Sequence, residues 1–329
     1  MAHELHTNAA GKTSFAYIGE HAWHGLGNQL TADAPLALWE EEAGFNWTIE
    51  SGAVQTPHPE AIAGDTPLMI TMPERRLLYR SDTLAPLAVV SDKYKVVQPK
   101  EVLHFYEDLI ESAGFVMETA GVMFGGRRFW AMARTNYKDE VIAGDGVAQY
   151  LLLTTACDGS LATTAKFTSV RVVCNNTNTM ALNERGKTTV KVPHNANFDP
   201  QTVKVELGVA GEAWNTWLTD ARRLASMPVN NNEVVRFLIN LFGDPSATLE
   251  DQTPTAANVM QQVHGLWAGG AMGAALAGPT AWGLFNAVTE YYDWHTGHKT
   301  PDARINNAWL GEGDKKKLEA FDLLLAIGA

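Results

Sequence analysis

Eight side chains in the middle of this 329-residue sequence are of the types that hold a nucleic-acid strand. Lys93, Lys95, Arg127, Arg128, Lys166 and Arg171 are cations, and Trp130 and Phe167 are aromatics interleaved with them. Lys93 and Lys95 flank Tyr94, Arg127 and Arg128 follow Phe124-Gly-Gly, and Lys166 and Arg171 share one long β-prone run. Cations that track phosphates beside rings on which bases stack are what single-strand binding requires. An ordinary sheet uses the same residues, with solvated cations outside and aromatics inside.

A second chemistry is metal binding. His21-x-x-His24 and His295-x-x-His298 are the close histidine pairs, and Glu20, Glu290 and Asp293 stand beside them. Imidazole and carboxylate donors of this kind suit a transition metal, although hydrogen bonding is the plainer use of a histidine. Other chemistries lack their signatures. Gly11-Lys12-Thr13 has His6 where a phosphate-binding loop needs its first glycine, and no strand pattern precedes it. There is no Gly-x-Ser-x-Gly elbow. Cys157 and Cys174 are too few for a disulfide framework or a cysteine-rich zinc site, and both sit in apolar runs that suit buried reduced thiols. No catalytic residue is nominated and no cofactor is called for.

The elements that must position these residues begin at Pro99. Pro99 at a first turn and Gly114 at an end bracket a helix, with Val102, Phe105, Tyr106, Leu109 and Ile110 on one face. Phe115–Met123 and Arg127–Thr135 are β-prone runs joined by Phe124-Gly-Gly, a hairpin turn. After a polar loop (136–146), Gln149–Cys157 and Ser160–Val173 form a second hairpin around Asp158-Gly159. Asn175-Asn-Thr then offers a cap for a helix running into Met180. The order α-β-β-β-β-α predicts an α+β fold, a central antiparallel meander flanked by helices, with a mainly helical C-terminal region. Residues 1–98 read as short strands and turns around Trp23, Trp39 and Trp47, residues 99–193 as the core, and residues 194–329 as helical. Asn230–Leu241 and Leu318–Ile327 have amphipathic spacing.

Charge sharpens this division. The chain carries −12 overall, which argues against capture of duplex DNA by a uniformly basic surface. Residues 1–70 carry −8 and residues 194–329 carry −6, while residues 71–193 carry +2. No Lys, Arg, Asp or Glu lies between Asp251 and Glu290, but the glycines, Pro279 and Asn286 fit a buried loop-and-helix segment better than a membrane span. The N-terminus has no basic start or apolar core of a signal peptide, so a cytoplasmic protein is expected.

Four ordered motifs carry a resemblance. They are His21-Ala-Trp-His-Gly-Leu-Gly27, Glu118 to Trp130 with its Phe-Gly-Gly-Arg-Arg centre, Asp158-Gly-Ser with Val170 to Thr177, and Trp282 to Asp293. Over most of its length the chain resembles the phage/plasmid-like proteins of unknown function found in bacteriophages, prophages and plasmids. That resemblance implies a mobile-element protein in a bacterial host and no settled activity. The helix, meander and following helix are also similar, at the level of fold, to the core of Rad-fifty-two-like phage single-strand annealing proteins, which form rings or arcs and hold DNA in a cation-lined groove.

The expectation drawn from residues and resemblance together is a recombination accessory protein that binds and anneals single-stranded DNA, assembles as a homo-oligomer and hydrolyses no nucleotide. Two alternatives stand beside it. One is a metal-dependent enzyme using His21, His24, His295 and His298. The other is an acidic interaction protein that blocks a host defence system, with phage or host proteins as partners.

Overall fold

A computed structural model describes residues 13–19, 27–63, 66–171, 176–179, 189–206, 210–297 and 300–327. The chain forms two compact units that interleave in sequence. The first comprises residues 1–133, 152–166 and 189–205; the second comprises residues 134–151, 167–188 and 206–329.

In chain order the elements are β1 (Phe15–Ile18), β2 (Asn28–Leu30), α1 (Leu36–Glu42), β3 (Ile49–Ala63), β4 (Thr66–Arg80), β5 (Pro86–Ser91), α2 (Pro99–His104) and α3 (Glu107–Ala113). There follow β6 (Val116–Met123), β7 (Arg128–Glu140), β8 (Gly146–Ala156), β9 (Thr163–Arg171), β10 (Asn176–Thr179) and β11 (Thr189–Val192). The helices α4 (Pro200–Glu206), α5 (Ala210–Ala225), α6 (Asn231–Phe242), α7 (Pro254–Gly265), α8 (Ala274–Ala277), α9 (Ala281–Glu290), α10 (Pro301–Leu310) and α11 (Glu312–Ile327) complete the chain. The fold is α+β, as the pattern predicts. One mixed sheet runs β10-β9-β8-β7-β6-β1-β2, with β11 also paired to β9, and a separate antiparallel sheet runs β3-β4-β5.

The meander β6-β7-β8-β9 follows the two hairpin signals. Phe124, Gly125 and Gly126 all take positive φ, at 54°, 69° and 106°. Gly126 is required for space as well, since a Cβ there would lie 2.9 Å from an Arg80 guanidinium nitrogen and 3.1 Å from the Trp47 ring. At the second turn the Asp158 carboxylate accepts from the Ser160 N–H at 2.9 Å, an Asx turn that leaves Gly159 left-handed at φ 78°.

Four expectations need correction. The helix from Pro99 breaks at Phe105–Tyr106, because both rings are fully buried and the Tyr106 hydroxyl donates to the Ala131 carbonyl at 2.8 Å. The polar stretch 136–140 continues β7 instead of forming a loop. Asn176–Thr179 is a strand and not a capped helix: its backbone pairs antiparallel with Thr168–Arg171, so its donors and acceptors are taken by β9. The N-terminal region is not made only of short strands, since β3 and β4 form a hairpin of fifteen residues each, and Trp39 is buried on α1. Trp23 lies outside the described residues.

In the second unit α9 is the central helix. Each of its ten residues is buried, and it packs against α5, α7, α8 and α11. Trp217, Trp282, Phe285 and Phe321 form an aromatic chain, with ring centroids 6.1, 5.6 and 5.0 Å apart in sequence along it. Gly283 allows the preceding loop to close on α9, since a Cβ there would meet the Gly278 carbonyl at 2.3 Å. The uncharged segment before Glu290 is loop and helix, but it is not buried throughout: α9 is covered, whereas residues 268–270, Met272, Ala275, Leu276 and Pro279 are exposed. Among the described residues no helix is long and apolar enough to cross a membrane. The amphipathic spacings also hold: α6 starts one residue after its Asn230 cap, whose side chain accepts from the N–H groups of Asn232 and Glu233, and α11 contains Leu318–Ile327.

Candidate functional site

One end of the first unit's part of the large sheet gathers several singled-out residues. The Tyr94 ring stacks on His194 with centroids 4.5 Å apart and planes 17° from parallel. Its hydroxyl donates to the Ala156 carbonyl at 2.9 Å, at the end of β8. Burial pushes the Tyr94 phenol well above its ordinary range, and neighbouring Cys157 and Asp158 add to the shift. His194 is fixed on both sides, with Nδ1 3.0 Å from the Lys95 carbonyl and Nε2 3.0 Å from the Leu161 carbonyl. A neutral imidazole can donate to only one of these oxygens, whereas the imidazolium donates to both. The Lys95 N–H returns a bond to the His194 carbonyl at 2.6 Å, and an Arg76 guanidinium donates to the Tyr94 carbonyl.

Lys93 and Lys95 are exposed on either side of this stack. Arg127 is exposed on the adjoining turn, where the Cys157 N–H donates to its carbonyl at 2.9 Å and its own Nε donates to the Phe124 carbonyl at 3.0 Å. The structure therefore brings Lys93, Lys95 and Arg127 to one set of loops, together with the exposed acids Asp92 and Asp158. Arg128 belongs to the same end but is buried, with its guanidinium 5.3 Å from the Phe124 ring centroid and donating to the Ser160 hydroxyl at 2.9 Å.

The other strand residues are interior. Trp130 is 1% exposed, with its ring 5.5 Å from Phe15, and Phe167 is 4% exposed. Lys166 is 5% exposed in mid-strand opposite Thr189, on a strand whose Thr163 and Thr164 are also buried. Arg171 pairs with Asn176 through the backbone, and its side chain is not among those described. Every residue of β8 after Gly146 is buried, so the middle of the meander has no solvated face for cations.

Of the four candidate metal-binding histidines, His295 alone is described; His21, His24 and His298 lie outside the described residues. The His295 Nε2 lies 3.6 Å from Glu290, whose carboxylate accepts from the Met272 N–H at 2.9 and 3.1 Å. Asp293 is taken by Lys317, which also donates to the Ala308 carbonyl at 3.1 Å. Among the described residues no group of three or more His, Cys, Asp or Glu is placed to hold a metal ion. Cys157 is a buried free thiol pushed up to about 12, chiefly by burial, so it is a poor nucleophile; Cys174 lies outside the described residues. A cleft of about 570 Å³ in the first unit is lined by Trp39, Glu107, Glu111, Phe115 and Met117 among others, and holds none of the candidate nucleic-acid-binding or metal-binding residues.

Sequence reasoning missed His194. The signal was faint: a lone histidine after Pro193, ninety-nine positions from the carbonyl it touches.

A meander with bracketing helices and a loop-borne ring stack defines an α+β protein with no assigned chemistry. The chain belongs to the DUF932 family, a domain of unknown function, which matches residues 86–309. No curated protein and no solved structure matches the chain.

Proposed function

We propose that this protein binds single-stranded nucleic acid at the loop end of the first unit, and that it acts as a strand-annealing accessory protein without nucleotide hydrolysis. The observation that carries the reading is the grouping of exposed Lys93, Lys95 and Arg127 around the Tyr94–His194 stack. The cations neutralise successive phosphates and the stack offers a platform that a base extends, a sequence-tolerant combination. Arg128, Trp130, Lys166 and Phe167 then build the sheet that holds these loops, and the strand does not touch them. A mobile-element origin and a bacterial cytoplasmic setting, implied by the family resemblance, belong to the same reading.

The test is fluorescence anisotropy with labelled single-stranded and duplex oligonucleotides at about 50 and 200 mM salt, where a phosphate-dominated interaction weakens steeply. Binding that prefers single strands is expected, and the combined variant K93A/K95A/R127A should lose it. In a plot of log affinity against log salt, each cation removed should flatten the slope by about 0.7. No binding at low salt, or full binding by the triple variant, overturns the reading.

A further inference from the structure

The β3–β4 hairpin reaches beyond the sheet that anchors it. β4 pairs with β3 over almost its whole length, but with β5 only through Arg75–Tyr79. Among the described residues, the second edge of β4 from Leu68 to Pro73 meets no strand. On this stretch Leu68, Met69, Ile70 and Met72 are 54%, 44%, 50% and 48% exposed. Alternate strand residues point to opposite faces, so Leu68, Ile70 and Met72 share one wet apolar face of the strand and Met69 lies exposed on the other, beside Thr71. A solvated two-stranded ribbon is marginal by itself, and an apolar edge with open N–H and C=O groups is a template for another strand. The outer strand β3 carries Pro57, which has no N–H to offer along its edge.

We propose that Leu68–Met72 pairs with the same segment of a second copy of this chain, as an antiparallel ladder centred on Ile70. The segment is self-complementary. Pro67 and Pro73 stand three residues either side of Ile70 and close the edge symmetrically. Pairing about Ile70 sets Leu68 against Met72, Met69 against Thr71 and Pro67 against Pro73. No charged residue lies between Thr66 and Pro73, in a chain of net charge −12. Two acidic molecules therefore meet here without opposing like charges, and a two-fold contact of this kind closes at the dimer. Nucleic acid plays no part in it, so it stands or falls separately from strand binding.

Sedimentation velocity of the full chain, over about 1 to 100 μM, reads the association. A dimer is expected, and Ile70→Lys should raise its dissociation constant by about tenfold or more, because a charge then lies in an apolar contact. Val205→Lys, at a position 78% exposed outside the arm, should leave the dimer intact. Ile70→Cys gives the second readout. Residues directly opposite in an antiparallel pair have β-carbons about 5 Å apart, so oxidation should join two chains through residue 70. Wild type and Val205→Cys should stay unjoined under the same treatment. A monomer at every concentration overturns the proposal. So does a dimer that Ile70→Lys leaves unchanged and Ile70→Cys does not cross-link.

Discussion

The loop end of the first unit and the core of the second treat charge in opposite ways. In the second, Lys317, Asp293 and Glu290 are 0%, 1% and 2% exposed, and each is committed to protein partners. In the first, Lys95 is held out by its backbone bond to His194 and Arg127 by its carbonyl and one nitrogen of its guanidinium, while Lys93 is exposed between Asp92 and Tyr94, whose N–H groups donate to the Glu74 and Ser91 carbonyls. Buried charges with every partner inside the fold are structural. Exposed cations whose positions are fixed while their charge stays available are what a ligand can use. The same contrast divides the meander's own cations, with Arg128 and Lys166 in the interior and Arg127 at the turn.

The sharpest way to break the contrast is to uncover one buried charge. Lys317→Ala leaves Asp293 uncompensated and should cost ~3–5 kcal/mol in chemical denaturation. The double change Lys317→Met with Asp293→Leu should come out near neutral or more stable, since an apolar pair needs no desolvation. A double variant as unstable as the single one would show that the pair does more than satisfy itself. Phe285→Ala, in the same core, should cost ~3–5 kcal/mol through lost packing alone. On the other side of the comparison, K93A/K95A/R127A should change stability by no more than ~0.5 kcal/mol while abolishing strand binding. Loss of fold in that variant would place these cations with the structural set.

The smallest effect belongs to Asp108. Hydrogen bonds from Lys204 at 2.6 Å and Gln201 at 2.8 Å hold its carboxyl at about 2, below the usual carboxylate range. Its folded value is depressed, so its contribution is fully present above the unfolded value of about 3.9 and fades as pH falls toward 2. Because the group is half exposed, Asp108→Asn should cost under ~1 kcal/mol at neutral pH. The difference between variant and wild type should vanish in acid, as a pH series of denaturation midpoints would show.

The meander was legible because its turns are. Gly125-Gly126 and Asp158-Gly159 demand left-handed backbone, and such demands are local enough to see in a sequence. The β3–β4 hairpin was hidden because Pro57, Pro59, Pro67 and Pro73 interrupt the alternation by which strands are recognised. The interior position of Trp130, Lys166 and Phe167 was harder still. A strand buried on both faces loses alternation altogether, and Leu151-Leu-Leu-Thr-Thr-Ala-Cys157 is such a run. It signals two-sided burial, which leaves no outer face for cations on its neighbours. The site was half legible: Lys93, Tyr94, Lys95 and Arg127 stood out by type, but His194 joins them only through tertiary structure.

The fully covered α9 has a consequence on the timescale of hours. Its amide protons have no route to solvent while α5, α7, α8 and α11 stay in place. Exchange into deuterated water should therefore be slowest from Ala281 to Glu290, at a rate set by opening of the second unit as a whole. The exposed ribbon at Leu68–Met72 should exchange within the earliest time points in the monomer. Those two segments then act as internal clocks in one experiment, the slow one reporting global stability and the fast one local fraying.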